Sequence, residues 1–150
     1  MLEVATSDAV VSRNDVGFLL AKAVQRWNEL LAQRFVEAGY AEVRPSYGSV
    51  LLPLFEEDGL RMGELARRAR LSKQTMTEMI RRLEADRLVE RRADPRDGRA
   101  TLIYLTARSR KFEPVAEAVL AELDRLVRRR LNAEQVRELK AALRELIELG

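Results

Sequence analysis

The sequence predicts a mainly helical α+β chain in which a run of helices is broken once, by a two-stranded β-hairpin. Three observations predict it. Apolar residues recur at i, i+3, i+4 and i+7 in segment after segment of the 150 residues, the spacing of one helical face. The main departure is "RRADPRDGRATLIYLT", residues 91–106, which sets Pro, Gly and two Asp between an Arg-rich run and a Thr, Ile and Tyr run, as a turn between two strands does. Directly ahead of it lie a short helix, a tight turn and a second helix, and the four parts together make a winged helix-turn-helix.

Taken in order, the first dozen residues lack periodicity and read as a loose arm. A helix begins near Asn14 or Asp15, both good caps, and carries Leu19, Leu20, Ala23, Trp27, Leu30 and Leu31 on one side. Gly39 is placed to end it. In "RPSYGSVLLPLFEEDG" Pro45 fits a first helical turn, Pro53 kinks or shortens the helix, and Asp58-Gly59 stops it. "GELARRA" makes a short helix over about residues 63–69. Ser72 caps the next, "KQTMTEMIRRLEAD". "RLVERR" and "ATLIYLT" read as strands around a tip in which Asp94-Pro95 and Asp97-Gly98 are the turn formers. A long helix follows Thr106 to about Arg130, with a bend at Pro114. Asn132 caps the last helix and Gln135 completes a capping box. Its apolar stripe is Val136, Leu139, Leu143, Leu146 and Ile147.

Composition narrows the function. The chain has no Cys and no His, which removes disulfides, thiolate nucleophiles, Cys or His zinc sites and Ser-His triads together. There is no P-loop and no GxGxxG, so no cofactor, metal or catalytic centre is expected. No apolar run approaches a membrane span and no signal peptide is evident, which points to the cytoplasm. The net charge of +3 is unevenly placed. Residues 61–99 hold 12 Lys or Arg against 7 Asp or Glu, while the remainder is net negative. A basic block of this kind suits nucleic acid.

Within that block the helix after Ser72 has two faces. Met76, Met79, Ile80 and Leu83 form the core stripe. Gln74, Thr77, Glu78 and Arg81 form a second stripe roughly 160° away, at about 100° per residue. Gln pairs bidentately with adenine, Arg with guanine, and Glu accepts from cytosine, so this stripe suits a major groove. Thr75 lies on the same exposed turn. Lys73 and the amides near Ser72 suit a phosphate at the helix start, and Arg82 suits another on the flank. In the hairpin, Arg96 sits at the tip between Asp94 and Asp97. A guanidinium there suits a narrow minor groove, with the two carboxylates bracing the loop. Arg91, Arg92 and Arg99 at the base suit the sugar-phosphate backbone.

Residues 71–106, "LSKQTMTEMIRRLEADRLVERRADPRDGRATLIYLT", resemble the recognition helix and wing of the MarR family of bacterial transcriptional regulators. "DPRDGR" at 94–99 matches that family's D-x-R-D-x-R wing motif, and the resemblance extends over almost the whole chain from about residue 15. It implies an obligate homodimer with dimerisation helices at about 14–40 and 107–149 and a winged lobe at about 45–106. It implies a palindromic operator in double-stranded DNA, with Arg96 as the wing-tip minor-groove residue. It implies repression relieved by a small, often aromatic or phenolic, anionic ligand held between the two parts. Trp27, Tyr47 and Phe55 are the candidate pocket residues, with Arg44 for a ligand carboxylate.

The chain departs from the family pattern at Arg70 and Arg87, where Gly is common on either side of the recognition helix. A left-handed backbone there costs a non-Gly residue roughly 1–2 kcal/mol. The absence of Cys excludes the family's peroxide-sensing branch. The alternative function is a protein-interaction adaptor that keeps the fold without binding DNA; the intact basic wing argues against it.

Overall fold

The structure, a computed structural model, describes residues 12–150, so the arm expected over the first dozen residues lies almost wholly outside the described residues. The elements run α1 (Val16–Glu37), a 3-10 turn (Pro45–Tyr47), α2 (Gly48–Glu56), β1 (Leu60–Arg61), α3 (Met62–Ala69), α4 (Lys73–Ala85), β2 (Val89–Asp94), β3 (Asp97–Leu105), α5 (Ala107–Arg130) and α6 (Ala133–Ile147). No helix among the described residues is long and apolar enough to cross a membrane.

Four helices start at side-chain caps, three of them expected from the sequence and the fourth at Thr106, after which a helix was expected. Asp15, Ser72, Thr106 and Asn132 each accept a backbone N–H of their own first turn, and Gln135 closes the capping box at α6. Pro53 leaves α2 intact but short, three residues from its end. The α5 helix runs through Pro114.

The sheet differs from the expected two-stranded hairpin. It has three antiparallel strands in the order β1-β3-β2, with Leu60 opposite Ile103 and Arg61 opposite Leu102. A two-residue strand has no periodicity to detect; only its partner defines it. The hairpin tip also differs from expectation. The turn is Pro95-Arg96 alone, and Gly98 already lies inside β3 without a positive φ. Proline cannot take the positive φ of a tight two-residue hairpin turn. The ladder becomes irregular between Ala93 and Asp94 instead.

Three helices end in the same way. Gly39, Arg70 and Arg87 have φ of 90°, 57° and 60°. Behind each, the amides of Tyr40, Leu71 and Leu88 reach back to the carbonyls of Phe35, Ala66 and Leu83 at 2.8 to 3.0 Å. This is the Schellman end, in which an apolar residue just past the helix folds back onto it. Only the first has its glycine. The other two place arginine in the left-handed region, at the two positions where the family pattern often has Gly. Gly59 is a different case: its φ is +71°, and a Cβ there would meet the Tyr104 ring at 2.8 Å.

The core sits where the lobe closes on itself. Leu54, Leu65, Met76, Ile80, Leu83, Leu88 and Ile103 are all fully covered. The α5 helix carries Phe112, Ala116 and Val119 inward against α1, where the Phe112 and Phe35 rings meet edge to face at 4.9 Å between centroids. Arg108 ties this junction, pairing with Glu42 at 2.7 Å, donating to the Gly39 carbonyl and lying 3.9 Å over the Tyr40 ring.

Candidate nucleic-acid interface

The α4 helix is aimed by its own two stripes. Met76, Ile80 and Leu83 are fully buried and Met79 is half-buried, so Gln74, Glu78, Arg81 and Arg82 face solvent. The hydroxyls at its start are partly committed. Ser72 accepts the Thr75 amide at 3.1 Å and donates to the Thr75 hydroxyl, while Thr77 donates to the Lys73 carbonyl at 2.8 Å. Thr77, half-buried, therefore has its one hydroxyl proton committed to the backbone. The Schellman end at Arg87 turns the chain from α4 into β2. Tyr47 supports that turn from below, donating its hydroxyl to the Asp86 carboxylate at 2.6 Å. Burial and that carboxylate raise the Tyr47 pKa, so the phenol keeps its proton.

The wing tip is fixed by carboxylates, with unequal roles. Asp94 is only 6% exposed and faces into the sheet. One of its oxygens accepts the Arg96 amide at 2.9 Å and the other takes the Arg61 guanidinium at 2.7 Å. The Arg96 amide, then Arg61, hold its carboxyl below the usual range. Asp94 therefore lies beneath the surface that DNA would meet. Asp97 accepts the Arg99 amide at 3.1 Å and faces partly outward. The Arg96 side chain projects into solvent from this braced backbone.

Ion pairing divides the basic block. Arg67 and Arg68 pair with Glu64, Arg70 with Glu148, Arg91 with Glu84 and Arg92 with Glu90, and Arg99 lies 3.7 Å from Asp97. Arg92 also stacks 4.2 Å from the Tyr104 ring centroid. Among the described residues, Lys73, Arg81, Arg82, Arg87 and Arg96 make no ion pair. Four of these five lie on the recognition helix or at the wing tip. An unpaired guanidinium sheds no protein partner when it meets a phosphate or a base edge.

The proposed ligand residues separate. Trp27, Arg44 and Phe55 line a cavity of about 260 Å³ bounded by α1, α2 and α5, with Phe35, Phe112 and Leu120 among its apolar walls. Tyr47 does not. It is 2% exposed and packed beneath α4, so its expected place in the pocket is corrected to a place in the core. Sequence reading missed Arg61. It stands 33 residues from Asp94, and only the β1–β3 pairing brings the two together.

The MarR family model matches residues 45–101, from the 3-10 turn through the wing. The HTH-type transcriptional repressor Rv2887 of Mycobacterium tuberculosis is 36% identical over 119 residues, 71% of this chain and 86% of that protein. A crystal structure of a probable transcriptional regulator from Pseudomonas aeruginosa superposes with a TM-score of 0.76 at 27% identity, covering 89% of this chain and 97% of that one. A structure of reduced AbfR bound to DNA superposes with a TM-score of 0.63 at 28% identity over 89% and 91% of the two chains. The Rv2887 likeness reaches well beyond the 57 residues of the wing-bearing lobe, and on it this chain belongs to the MarR family of transcriptional regulators.

Proposed function

We propose that the chain works as a homodimeric repressor that binds a pseudo-palindromic operator in double-stranded DNA and is released by a small aromatic or phenolic anion. The observation that carries this reading is the set of unpaired cations on α4 and the wing tip, in a lobe where nearly every other arginine has a carboxylate. Gln74, Glu78 and Arg81 read base edges in the major groove, with Thr75 and Thr77 in van der Waals contact beside them. Ser72, Lys73 and Arg82 hold phosphates. Arg91, Arg92 and Arg99 exchange weak carboxylate partners for the sugar-phosphate backbone. Arg96 enters the minor groove, with Asp94 and Asp97 holding its backbone.

The segments at about 14–40 and 107–149 form the dimerisation part, and about 45–106 the reading lobe. Apolar side chains left exposed on α1 and α6 support a second copy as their cover. The cavity beside Trp27 and Phe55 is mostly apolar with Arg44 at its edge, which suits one aromatic ring bearing a negative charge. It touches α1, α2 and α5, so a ligand there contacts both parts at once.

The test is selection of bound duplexes from a random library, followed by titration across salt. Half-sites centred about one helical turn apart, ~10 bp, are expected. With about 6–10 phosphates neutralised per dimer, affinity falls roughly 10³–10⁵-fold between about 50 and 200 mM salt. A flat salt dependence leaves the cations without a nucleic-acid role and favours the adaptor.

A further inference from the structure

We propose that Arg61 is a positioning residue for the wing, setting where the Arg96 tip stands relative to the recognition helix. The inference rests on the DNA-reading role of the wing proposed above. Arg61 occupies the N-cap of α3, with extended φ and ψ of −66° and 147° and no side-chain cap bond. At the same position of α1, α4, α5 and α6 stands Asp, Ser, Thr or Asn, each accepting a first-turn amide. A guanidinium has five donors and no acceptor, so it cannot cap. No side chain caps the first amides of α3 from this position, and the Arg61 side chain goes elsewhere.

It goes across the sheet. β1 and β2 are the two outer strands of the order β1-β3-β2, and Arg61 on one reaches Asp94 on the other, with Nε at 2.9 Å and a terminal nitrogen at 2.7 Å from the same oxygen. The other Asp94 oxygen holds the Arg96 amide. The chain of contacts is therefore α3 start, Arg61, Asp94, backbone of Arg96. α3 leads through the Arg70 turn into α4. The clamp thus joins the wing tip to the recognition helix by a route other than the hairpin itself. The hairpin alone is a poor lever there, because its ladder is irregular at Ala93 and Asp94. Without the clamp the tip is free to swing, and the order must be restored on binding.

The test uses the full-length protein and the duplex that wild type selects, made once with A·T flanks and once with G·C flanks. Arg61→Ser removes the clamp and supplies a hydroxyl cap, so Tm stays within about 4 °C of wild type. Its affinity for the A·T-flanked duplex falls about tenfold, with a smaller loss on the G·C-flanked one. In an Arg96→Ala background the same change costs less than about twofold, because both act through one contact. Arg61→Lys recovers part of the loss. Exchange of the Arg96 amide is faster in Arg61→Ser than in wild type. Asp94→Asn, equal in volume, reproduces the flank-dependent loss and serves if Arg61→Ser is poorly folded.

Wild-type affinity in Arg61→Ser while Arg96→Ala binds weakly overturns the assignment and leaves the wing reading standing. Additive losses in the double variant overturn it as well, since Arg61 then acts as a separate phosphate contact. A lowered Tm with equal loss on both duplexes makes Arg61 merely structural. If Arg96→Ala itself binds both duplexes as wild type does, the wing reading falls and the assignment falls with it.

Discussion

Leu65, Met76, Ile80 and Leu83 of the winged lobe are completely covered, whereas Leu19, Val24, Leu139 and Ile147 of the flanking helices stand 43 to 58% exposed. Both sets lie on stripes of the same helical spacing. The lobe closes its stripe within one chain because α3, α4 and a three-stranded sheet surround it. The α6 helix has a full capping box and an amphipathic pattern, yet Val136 is its one buried residue. A stripe in the sequence therefore says that a face is to be covered; it does not say by which chain. Fully burying such a side chain is worth roughly 1.5–3 kcal/mol, and each of these half-exposed ones forgoes about half of that, which is the driving force available to the proposed second copy.

The comparison breaks most sharply if the exposed face is charged. Leu143→Glu with Ile147→Glu should leave a folded lobe but convert dimer to monomer in sedimentation. Operator affinity should drop about 10²–10⁴-fold as the second half-site is lost. A double variant that stays dimeric assigns the interface to another surface. Next in size is the covered stripe. Leu65→Ala should cost about 2–5 kcal/mol in denaturant unfolding. Leu143→Ala should cost far less in a monomeric background, and equal costs would erase the distinction between the regions.

On the lobe's outer face the effects are smaller and should be selective. Gln74→Ala and Arg81→Ala should each lose about 1–3 kcal/mol at particular base pairs. Arg82→Ala should weaken all duplexes alike and reduce the salt slope by about one. Uniform losses in all three, measured by competition titration, would show that α4 does not present these faces to the bases.

The turns flanking α4 offer a stabilising change. Arg70→Gly and Arg87→Gly each relieve a left-handed arginine, worth roughly 1–2 kcal/mol, less the added entropy of glycine in the unfolded chain. A net gain of about 0.5–1 kcal/mol per site is expected by chemical denaturation. Arg70→Gly also gives up the pair with Glu148, but that pair is more than half exposed and contributes little. Smallest of all is the response to pH. The Arg108 hydrogen bond holds Glu42 below its ordinary value, Arg67 and Arg68 bring Glu64 to about 2, and the Arg96 amide and Arg61 lower Asp94. Depressed carboxylates contribute stability that is complete above the ordinary carboxylate pKa, near 4, and is lost as pH falls through the depressed values. With no His in the chain, Tm should be flat between about pH 6 and 8 and decline only in acid. A midpoint near neutrality would mean that some other group governs stability.

Most of what depends on neighbours within about one helical turn was legible in the amino-acid order. Asp15, Ser72, Thr106 and Asn132 start helices because a short polar side chain reaches an amide two or three residues on. Met76, Ile80 and Leu83 share a face because the helix repeats every ~3.6 residues. Arg70 and Arg87 stood out because the family pattern often has Gly at those two turns, and both turn out left-handed. The remainder follows from contacts between residues far apart in the chain. β1 exists only because β3 lies beside it. Tyr47 left the pocket for the core when Asp86, 39 residues away, arrived within reach of its hydroxyl. Arg61 became a clamp when the sheet carried Asp94 to it. Which of twelve cations find a carboxylate, and which stay free to meet DNA, follows from the placement of whole elements. Side-chain spacing along the chain encodes the direction in which a group points; only packing decides what stands in front of it.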